Sequence, residues 1–209
     1  MENIDCIYYI NLEHRTDRKE QFLNEMKVLG VPDSKIVRIE GVYTKGCGAV
    51  GCGYSHIKAL TAFIESGHKN CIIFEDDFKI TLDINYTKYL LRKVFEKNMP
   101  FDVFLLAGNI HKAESTETIH IYKAHKVCTT SSYIITRDFA PILKELWSQY
   151  VPLLEEEYNK SGNIVSEHCI DVVWTRIQSQ YRWYIFIPKL GKQRESYSDI
   201  ENKFVSYLD

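Results

Sequence analysis

Glu75, Asp76 and Asp77 are three consecutive carboxylates that directly follow the apolar segment 71–74, Cys-Ile-Ile-Phe. The apolar segment predicts a buried strand, so the carboxylates fall where that strand ends. Carboxylates packed together raise each other's pKa, and hard cations such as Mg²⁺ and Mn²⁺ are the oxygen-seeking ions that relieve this. At the carboxyl edge of an open α/β sheet, the cluster indicates a metal–diphosphate site. The alternative is an acidic turn that caps the next helix.

Asn11, Arg15 and Arg18 follow the first predicted strand, residues 4–10, and open a helix that is predicted to end near Leu29. A helix N-terminus presents free N–H groups and a partial positive charge, and two arginines beside it would complete an anion or nucleotide pocket. The alternative is that both arginines pair with neighbouring carboxylates on the surface.

The segment 41–53 is rich in glycine and predicts a loop, which leads into a helix that stops at Gly67. Ser55 and His56 lie in the first turn of that helix. The Ser55 hydroxyl is suited to a cap or a phosphate contact, whereas a lone histidine is more often a structural group than a ligand. Neither a P-loop nor a GxGxxG pattern is present.

Asp171 lies among apolar residues early in a predicted amphipathic helix, 167–180. A carboxylate in such company has a raised pKa and can act as a base, although a helix-start carboxylate favoured by the dipole is the alternative. The segment 151–162 predicts an acidic connection after a helix over 138–150. The polar tail from residue 188 predicts an irregular segment on the surface.

Bulk properties narrow the class of protein. The 209 residues fit one domain, and a hydrophobic content of 45% supports a sizeable core. A formal net charge of −2 gives no reason to expect a nucleic-acid partner. The N-terminus does not read as a signal peptide, no apolar run is long enough to span a membrane, and the cysteine spacing matches neither a disulfide framework nor a zinc site. These features favour a cytoplasmic protein with reduced thiols.

Strands alternating with helices predict an α/β fold with a mixed, mostly parallel sheet flanked by helices.

Taken in order, these segments resemble glycosyltransferase family 25, which contains lipopolysaccharide-biosynthesis galactosyltransferases and collagen hydroxylysine galactosyltransferases. The similarity extends from residue 4 to about 201. The matching residues are Ile10-Asn11-Leu12, Arg15, Asp17-Arg18, Gly51-Cys52, Ser55-His56, Phe74-Glu75-Asp76-Asp77, Ser132-Tyr133-Ile134-Ile135-Thr136, Asp171-Val172, Pro188, Gln193 and Ser198-Asp199-Ile200.

The resemblance implies a GT-A-type nucleotide-sugar-binding domain over residues 1–209, with a nucleotide-binding half of about 1–110 and an acceptor half of about 111–209. It implies Mn²⁺ or Mg²⁺ as cofactor and a UDP-sugar as donor, with Asp77 and Glu75 as metal ligands. The residues expected near the nucleotide are Asn11, Leu12, Arg15, Arg18, Ser55, His56, Gln193 and Ser198.

The function implied is metal-dependent transfer of a hexose, galactose or glucose, to a hydroxyl of a glycan, lipopolysaccharide or hydroxylysine-type acceptor. An inverting transfer needs a base, and Asp171 and then Asp76 are the candidates. His14 stands where many relatives have arginine, which changes the charge of the nucleotide pocket. Two alternatives stay open: a non-catalytic binder of nucleotide sugars or glycans, and a metal-dependent hydrolase or nucleotidyltransferase. Peripheral association with membrane-bound acceptors also stays open.

Overall fold

Twelve strands and six α-helices are present in the described part of the chain. The computed structural model describes residues 3–96, 99–198 and 203–205, with the backbone alone described for 196–198 and 203–205. The strands are β1 Cys6–Asn11, β2 Ile36–Glu40, β3 Asn70–Glu75, β4 Phe78–Ile80, β5 Val103–Leu105, β6 Asn109–Ser115, β7 Ile121–Cys128, β8 Ser132–Thr136, β9 Trp183–Phe186, β10 Gly191–Gln193, β11 Ser196–Ser198 and β12 Lys203–Val205. The helices are α1 Thr16–Leu29, α2 Gly48–Ser66, α3 Ile84–Glu96, α4 Ala140–Ser161, α5 Ile170–Val173 and α6 Thr175–Gln178.

Eight strands form one sheet in the order β2-β1-β3-β8-β5-β9-β7-β6. The pairs β2/β1, β1/β3 and β5/β9 are parallel and the other four pairs are antiparallel. Only β7 and β8 therefore run against the remaining six. The predicted fold class, α/β with a mixed and mostly parallel sheet flanked by helices, is confirmed.

Helices cover both faces of the sheet. Successive residues of each central strand point to opposite faces, so each strand contributes to both cores. In β3, Cys71 and Ile73 belong to one core together with residues of α2, α4 and α5. Ile72 and Phe74 belong to the second core, which includes residues of α1 and α3. The alternation explains why these strands are apolar along their whole length.

The glycine-rich segment is only partly a loop, because α2 already begins at Gly48. Gly51 and Gly53 lie inside that helix, where a Cβ on Gly51 would come within 2.3 Å of the Val42 carbonyl oxygen and one on Gly53 within 2.5 Å of Val151 Cγ2. The prediction of a loop over 41–53 is wrong from residue 48 onward. These glycines permit close packing of the helix and are not evidence of an irregular backbone.

The acidic connection predicted over 151–162 is also wrong, because α4 continues to Ser161. Trp147, Val151 and Leu154 are all buried, and their spacing of four and three residues forms one apolar stripe. The stripe packs into the core shared with α2. Burial of this apolar face stabilises the helix, although its other face is charged. Pro152 is accommodated within the helix.

Other boundaries shift in the second half of the chain. In place of one helix over 167–180, a 3-10 turn at Ser166–His168 is followed by the short helices α5 and α6. Strand β6 was not predicted; it is an edge strand whose residues are largely exposed, so it lacks the apolar pattern of a central strand. Within the segment predicted as an irregular tail, Gly191–Gln193 form β10, which pairs with β4.

Candidate active site at the carboxyl edge of the sheet

The chain passes from β1 through α1 to β2 on one side of β1, and then through α2 to β3 on the other side. Strand β1 therefore lies between β2 and β3. The two crossover helices, α1 and α2, contribute to opposite cores. Such a reversal opens a crevice beyond the carboxyl ends of the strands, where α/β proteins bind their ligands. The predicted acidic cluster lies at this edge, because Glu75 ends β3 and Asp76 and Asp77 form the turn into β4.

Arg18 is the cation that compensates this turn. Its Nη1 atom lies 3.1 Å from Asp76 Oδ1 and 3.4 Å from Asp77 Oδ2, and all three side chains are largely buried. Arg15 instead pairs with Asp17 at 3.0 Å, as the alternative reading of the sequence proposed. Arg18 therefore contacts the acidic turn, whereas Arg15 contacts the exposed Asp17.

Asn11, at the end of β1, is hydrogen-bonded to the acidic turn, to strand β2 and to the residue that precedes α1. Its Nδ2 donates to Asp76 Oδ2 at 2.7 Å and to the Arg15 carbonyl at 2.9 Å. Its Oδ1 accepts from Arg38 Nε at 3.0 Å, and its backbone carbonyl accepts from Arg38 Nη2 at 3.1 Å. Both amide donors of this buried side chain are thus used within the protein, so Asn11 positions the acidic turn.

Glu75 is held by a network of neutral and titratable partners. Thr130 Oγ1 donates to Glu75 Oε1 at 2.8 Å, Gln193 Nε2 donates to Oε2 at 3.5 Å, and His56 Nε2 lies 3.4 Å from Oε1. Burial alone would raise the pKa of Glu75, but the interactions with His56 and Thr130 outweigh it and lower that pKa. His56 is itself buried, with Nδ1 lying 3.1 Å from the Tyr133 hydroxyl.

Asp77 differs from its two neighbours. Its Oδ1 atom is buried and has no hydrogen-bond partner among the described residues. Burial raises the pKa of Asp77 to about 7, and the charge of Glu75 adds to the shift, whereas Arg18 and the side-chain amide of Gln193 oppose it. Burial also raises the pKa of Asp76, although Arg18 and Asn11 oppose that shift. A buried carboxylate oxygen without a hydrogen-bond partner, in an acidic turn, is suited to bind a cation.

The donor set fits a hard divalent cation at Asp77. Carboxylate oxygens are the ligands that Mg²⁺ and Mn²⁺ prefer, and Asp77 Oδ1 is available while the oxygens of Asp76 and Glu75 already accept hydrogen bonds. A second group of possible metal ligands includes a thiol and an imidazole, which suit softer ions than Mg²⁺ or Mn²⁺. The ligand atoms of Cys52, His56 and Glu75 lie within 4.8 Å of one another. Burial raises the pKa of the Cys52 thiol well above its usual value.

Ser55 and Leu12 lie close to this edge but have structural contacts. Ser55 is buried in the second turn of α2, where its hydroxyl donates to the Gly51 carbonyl at 2.6 Å and accepts from Val42 N–H at 2.8 Å. Leu12 forms the turn after β1, with its carbonyl accepting from Arg15 N–H at 2.9 Å. Neither the first-turn position of Ser55 nor that of His56 is correct, because α2 starts earlier than the sequence indicates.

Asp171 lies near the start of α5, as predicted, and belongs to the same edge. Its Oδ2 accepts from Thr129 N–H at 3.2 Å, and Thr129 precedes β8 together with Thr130, the partner of Glu75. Burial raises the pKa of Asp171, and the charge of Glu75 contributes to the shift. Ser198 lies in β11, but its side chain is outside the part of the chain whose side chains are described.

Sequence reasoning missed several members of the site. Arg38, Thr130 and Tyr133 contact Asn11, Glu75 and His56, respectively. Arg38 carried a weak signal as a charged residue within the apolar strand β2. The tail also contributes through β10: Gln193 contacts Glu75, and Arg194 N–H donates to the Asp77 carbonyl at 2.7 Å while its guanidinium pairs with Glu25.

A cavity of about 690 Å³ lies between α1 and the edge strand β2, and its lining includes Arg38 but none of the carboxylates described above. A second, of about 530 Å³, lies between the ends of α1 and α3. The carboxylate site therefore lies in neither of these two cavities. No helix in the described part of the chain has the length and apolar character to cross a bilayer.

Solved structures of similar shape exist at low sequence identity. Mannose-1-phosphate geranyltransferase from Thermus thermophilus is 8% identical, with 88% of this chain and 73% of that chain covered and a TM-score of 0.48. Apo UDP-glucose pyrophosphorylase is 10% identical, with 90% and 74% covered and a TM-score of 0.48. A glycosyltransferase involved in the glycosylation of the major capsid of PBCV-1 is 13% identical, with 86% and 80% covered and a TM-score of 0.47. No protein-family model and no curated protein matches the chain.

Proposed function

We propose that this protein is a divalent-cation-dependent glycosyltransferase that takes a nucleoside diphosphate sugar as donor. The observation that carries the proposal is the unpartnered, buried Oδ1 of Asp77, at the carboxyl edge of the sheet and beside Arg18. A carboxylate with one oxygen free and a neighbouring guanidinium suit a metal–diphosphate pair, in which the cation faces the carboxylate and the phosphates face the arginine.

The start of α1 supports the position of the diphosphate. No side chain forms a capping hydrogen bond at this helix N-terminus, and Arg18 lies in its first turn. Amide N–H groups at a helix start and a guanidinium both donate hydrogen bonds to anions, so the two can bind a phosphate together. Arg18 would therefore bind the diphosphate and assist its departure, while remaining compensated by Asp76.

The chemistry follows from where charge develops. A Mn²⁺ or Mg²⁺ ion held by Asp77 would stabilise the negative charge of the leaving nucleoside diphosphate. Asp171 takes the proton of the acceptor hydroxyl, since its raised pKa makes it a better base than an ordinary carboxylate. Asp76 is less suited to this role because both of its oxygens accept hydrogen bonds, from Arg18 and Asn11.

The finer assignment rests on the resemblance to glycosyltransferase family 25. It favours UDP as the nucleotide, galactose or glucose as the transferred hexose, and an inverting mechanism within a GT-A-type domain. The acceptor would then be a hydroxyl of a glycan, lipopolysaccharide or hydroxylysine residue. The first half of the chain, to about residue 110, would bind the nucleotide and the second half the acceptor.

The deciding experiment incubates the protein with a panel of UDP-, GDP- and dTDP-sugars, with Mn²⁺ or with EDTA, and measures release of nucleoside diphosphate. The proposal expects metal-dependent release from one donor, lost in Asp77→Ala. The matched control is Asp138→Ala, an exposed carboxylate that follows β8 at the opposite edge of the sheet. This variant should release nucleoside diphosphate at the wild-type rate.

Other outcomes would identify the alternatives. Pyrophosphate production from UTP and a sugar 1-phosphate, without release of UDP, would mark a nucleotidyltransferase on the same crevice. Nucleotide-sugar binding by calorimetry without any turnover would mark a non-catalytic binder. Equal release by wild-type protein and Asp77→Ala would refute the role of Asp77.

A further inference from the structure

A large aromatic side chain is exposed at the same edge of the sheet and has no part in the chemistry described above. Tyr43 is 62% exposed, although tyrosine is a residue that usually buries most of its ring. Its ring packs edge-to-face against His14, with 6.0 Å between the ring centroids and planes at 90°. The pair therefore presents an aromatic surface to solvent.

The two residues that precede Tyr43 are anchored to β1 and to α2. Gly41 N–H donates to the Asn11 carbonyl at 3.0 Å, and Val42 N–H donates to the buried Ser55 hydroxyl at 2.8 Å. Gly51 of α2 packs directly against the Val42 carbonyl, where no Cβ would fit. An exposed ring on a firmly held backbone is preorganised for a planar ligand, since little conformational freedom is lost on binding.

The position of the pair relates it to the diphosphate site. His14 follows β1 and Tyr43 follows β2, and these strands are parallel neighbours in which Asn11 is paired with Glu40. Along the carboxyl edge the order is therefore Tyr43, His14, the start of α1, and then the acidic turn that follows β3. The aromatic pair lies on the side of the diphosphate site away from β8, which Thr129 and Asp171 approach.

We propose that Tyr43 and His14 form the nucleobase-binding wall of the donor site, with the base stacked on the exposed face of Tyr43. This inference rests on the proposed function, because it assigns the base of the same nucleoside diphosphate. Stacking on an aromatic ring is how proteins hold planar bases without reading their edges. A protein–protein contact would call for a wider apolar surface than two rings beside charged residues.

The test measures binding of UDP, dTDP, CDP, GDP and ADP, and of inorganic pyrophosphate as a probe without a base, by calorimetry with Mn²⁺. For the nucleotide that binds, Tyr43→Ala should weaken binding about 5- to 150-fold, which is the loss of one base–aromatic stack. Pyrophosphate binding should not change, and Tyr43→Phe should bind the nucleotide as the wild type does. The control is Tyr89→Ala, which removes the exposed tyrosine of α3.

Each outcome decides a different question. Wild-type affinity for the nucleotide in Tyr43→Ala would overturn the assignment while leaving the proposed function intact. An equal loss of pyrophosphate binding would also overturn it, because the substitution would then have disturbed the diphosphate site itself. If the wild-type protein binds none of the nucleotides, both the inference and the proposed function fail.

Discussion

Replacing Asp77 with asparagine should stabilise the metal-free protein, and the gain should depend on pH. The folded state raises the pKa of Asp77 to about 7, whereas an aspartate in an unfolded chain titrates near 3.9. Between these values the folded state binds more protons than the unfolded state, so stability falls as the pH rises through this window. Integrated from pH 5 to pH 8, this linkage amounts to roughly 2–3 kcal/mol.

Asp77→Asn removes this term, because an amide does not ionise and has nearly the same shape. Its advantage over wild type in urea unfolding, in EDTA, should therefore grow by roughly 2–3 kcal/mol from pH 5 to pH 8. Adding Mn²⁺ at pH 8 should stabilise the wild type more than the variant. The exposed Asp138→Asn serves as the control and should show no such trend. If the advantage of Asp77→Asn is equal at both pH values, the argument that the metal-free fold raises the pKa of Asp77 is refuted.

Three further substitutions test other parts of the structure. Asp171→Asn should abolish transfer to acceptor while leaving calorimetric affinity for the donor unchanged; retained turnover would remove it from the role of base. Gly53→Ala should lower stability by about 1–3 kcal/mol in thermal unfolding, because the new Cβ would lie 2.5 Å from Val151 Cγ2. Arg182→Ala should cost about 1–3 kcal/mol at pH 7, since it leaves the largely buried Asp102 without its ion pair. That cost should shrink in urea unfolding as the pH falls below about 4, because Arg182 hydrogen bonds outweigh burial and lower the pKa of Asp102, so the stabilisation is lost on protonation.

Local patterns in the sequence were sufficient for β1, β2, β3 and α1. The apolar runs of β1 and β3 predict central strands because both faces of the sheet are covered, and Gly30 predicts the end of α1 because it adopts the left-handed conformation there, at φ 74°. The position of Glu75, Asp76 and Asp77 at a strand end follows from the same patterns. These are properties that a residue and its near neighbours decide together.

Long-range packing decided the rest. The chain gives no local reason why Arg15 pairs with Asp17 while Arg18 reaches Asp76, 58 residues away. Gly51 and Gly53 suggest a loop until Val42 and Val151 are seen beside them.

The sequence by itself determined the elements of an α/β sheet, the acidic turn after β3, and the resemblance from which a metal-dependent sugar transfer was inferred. Only the tertiary structure decided which carboxylate oxygen lacks a partner, since Asp77 and Asp76 are equivalent in the sequence and differ only in their neighbours. It also brought Tyr43 to His14 by placing β2 beside β1. The physical reason is that hydrogen bonding and burial depend on distance in space, and residues far apart in the chain supply most of the partners at this edge.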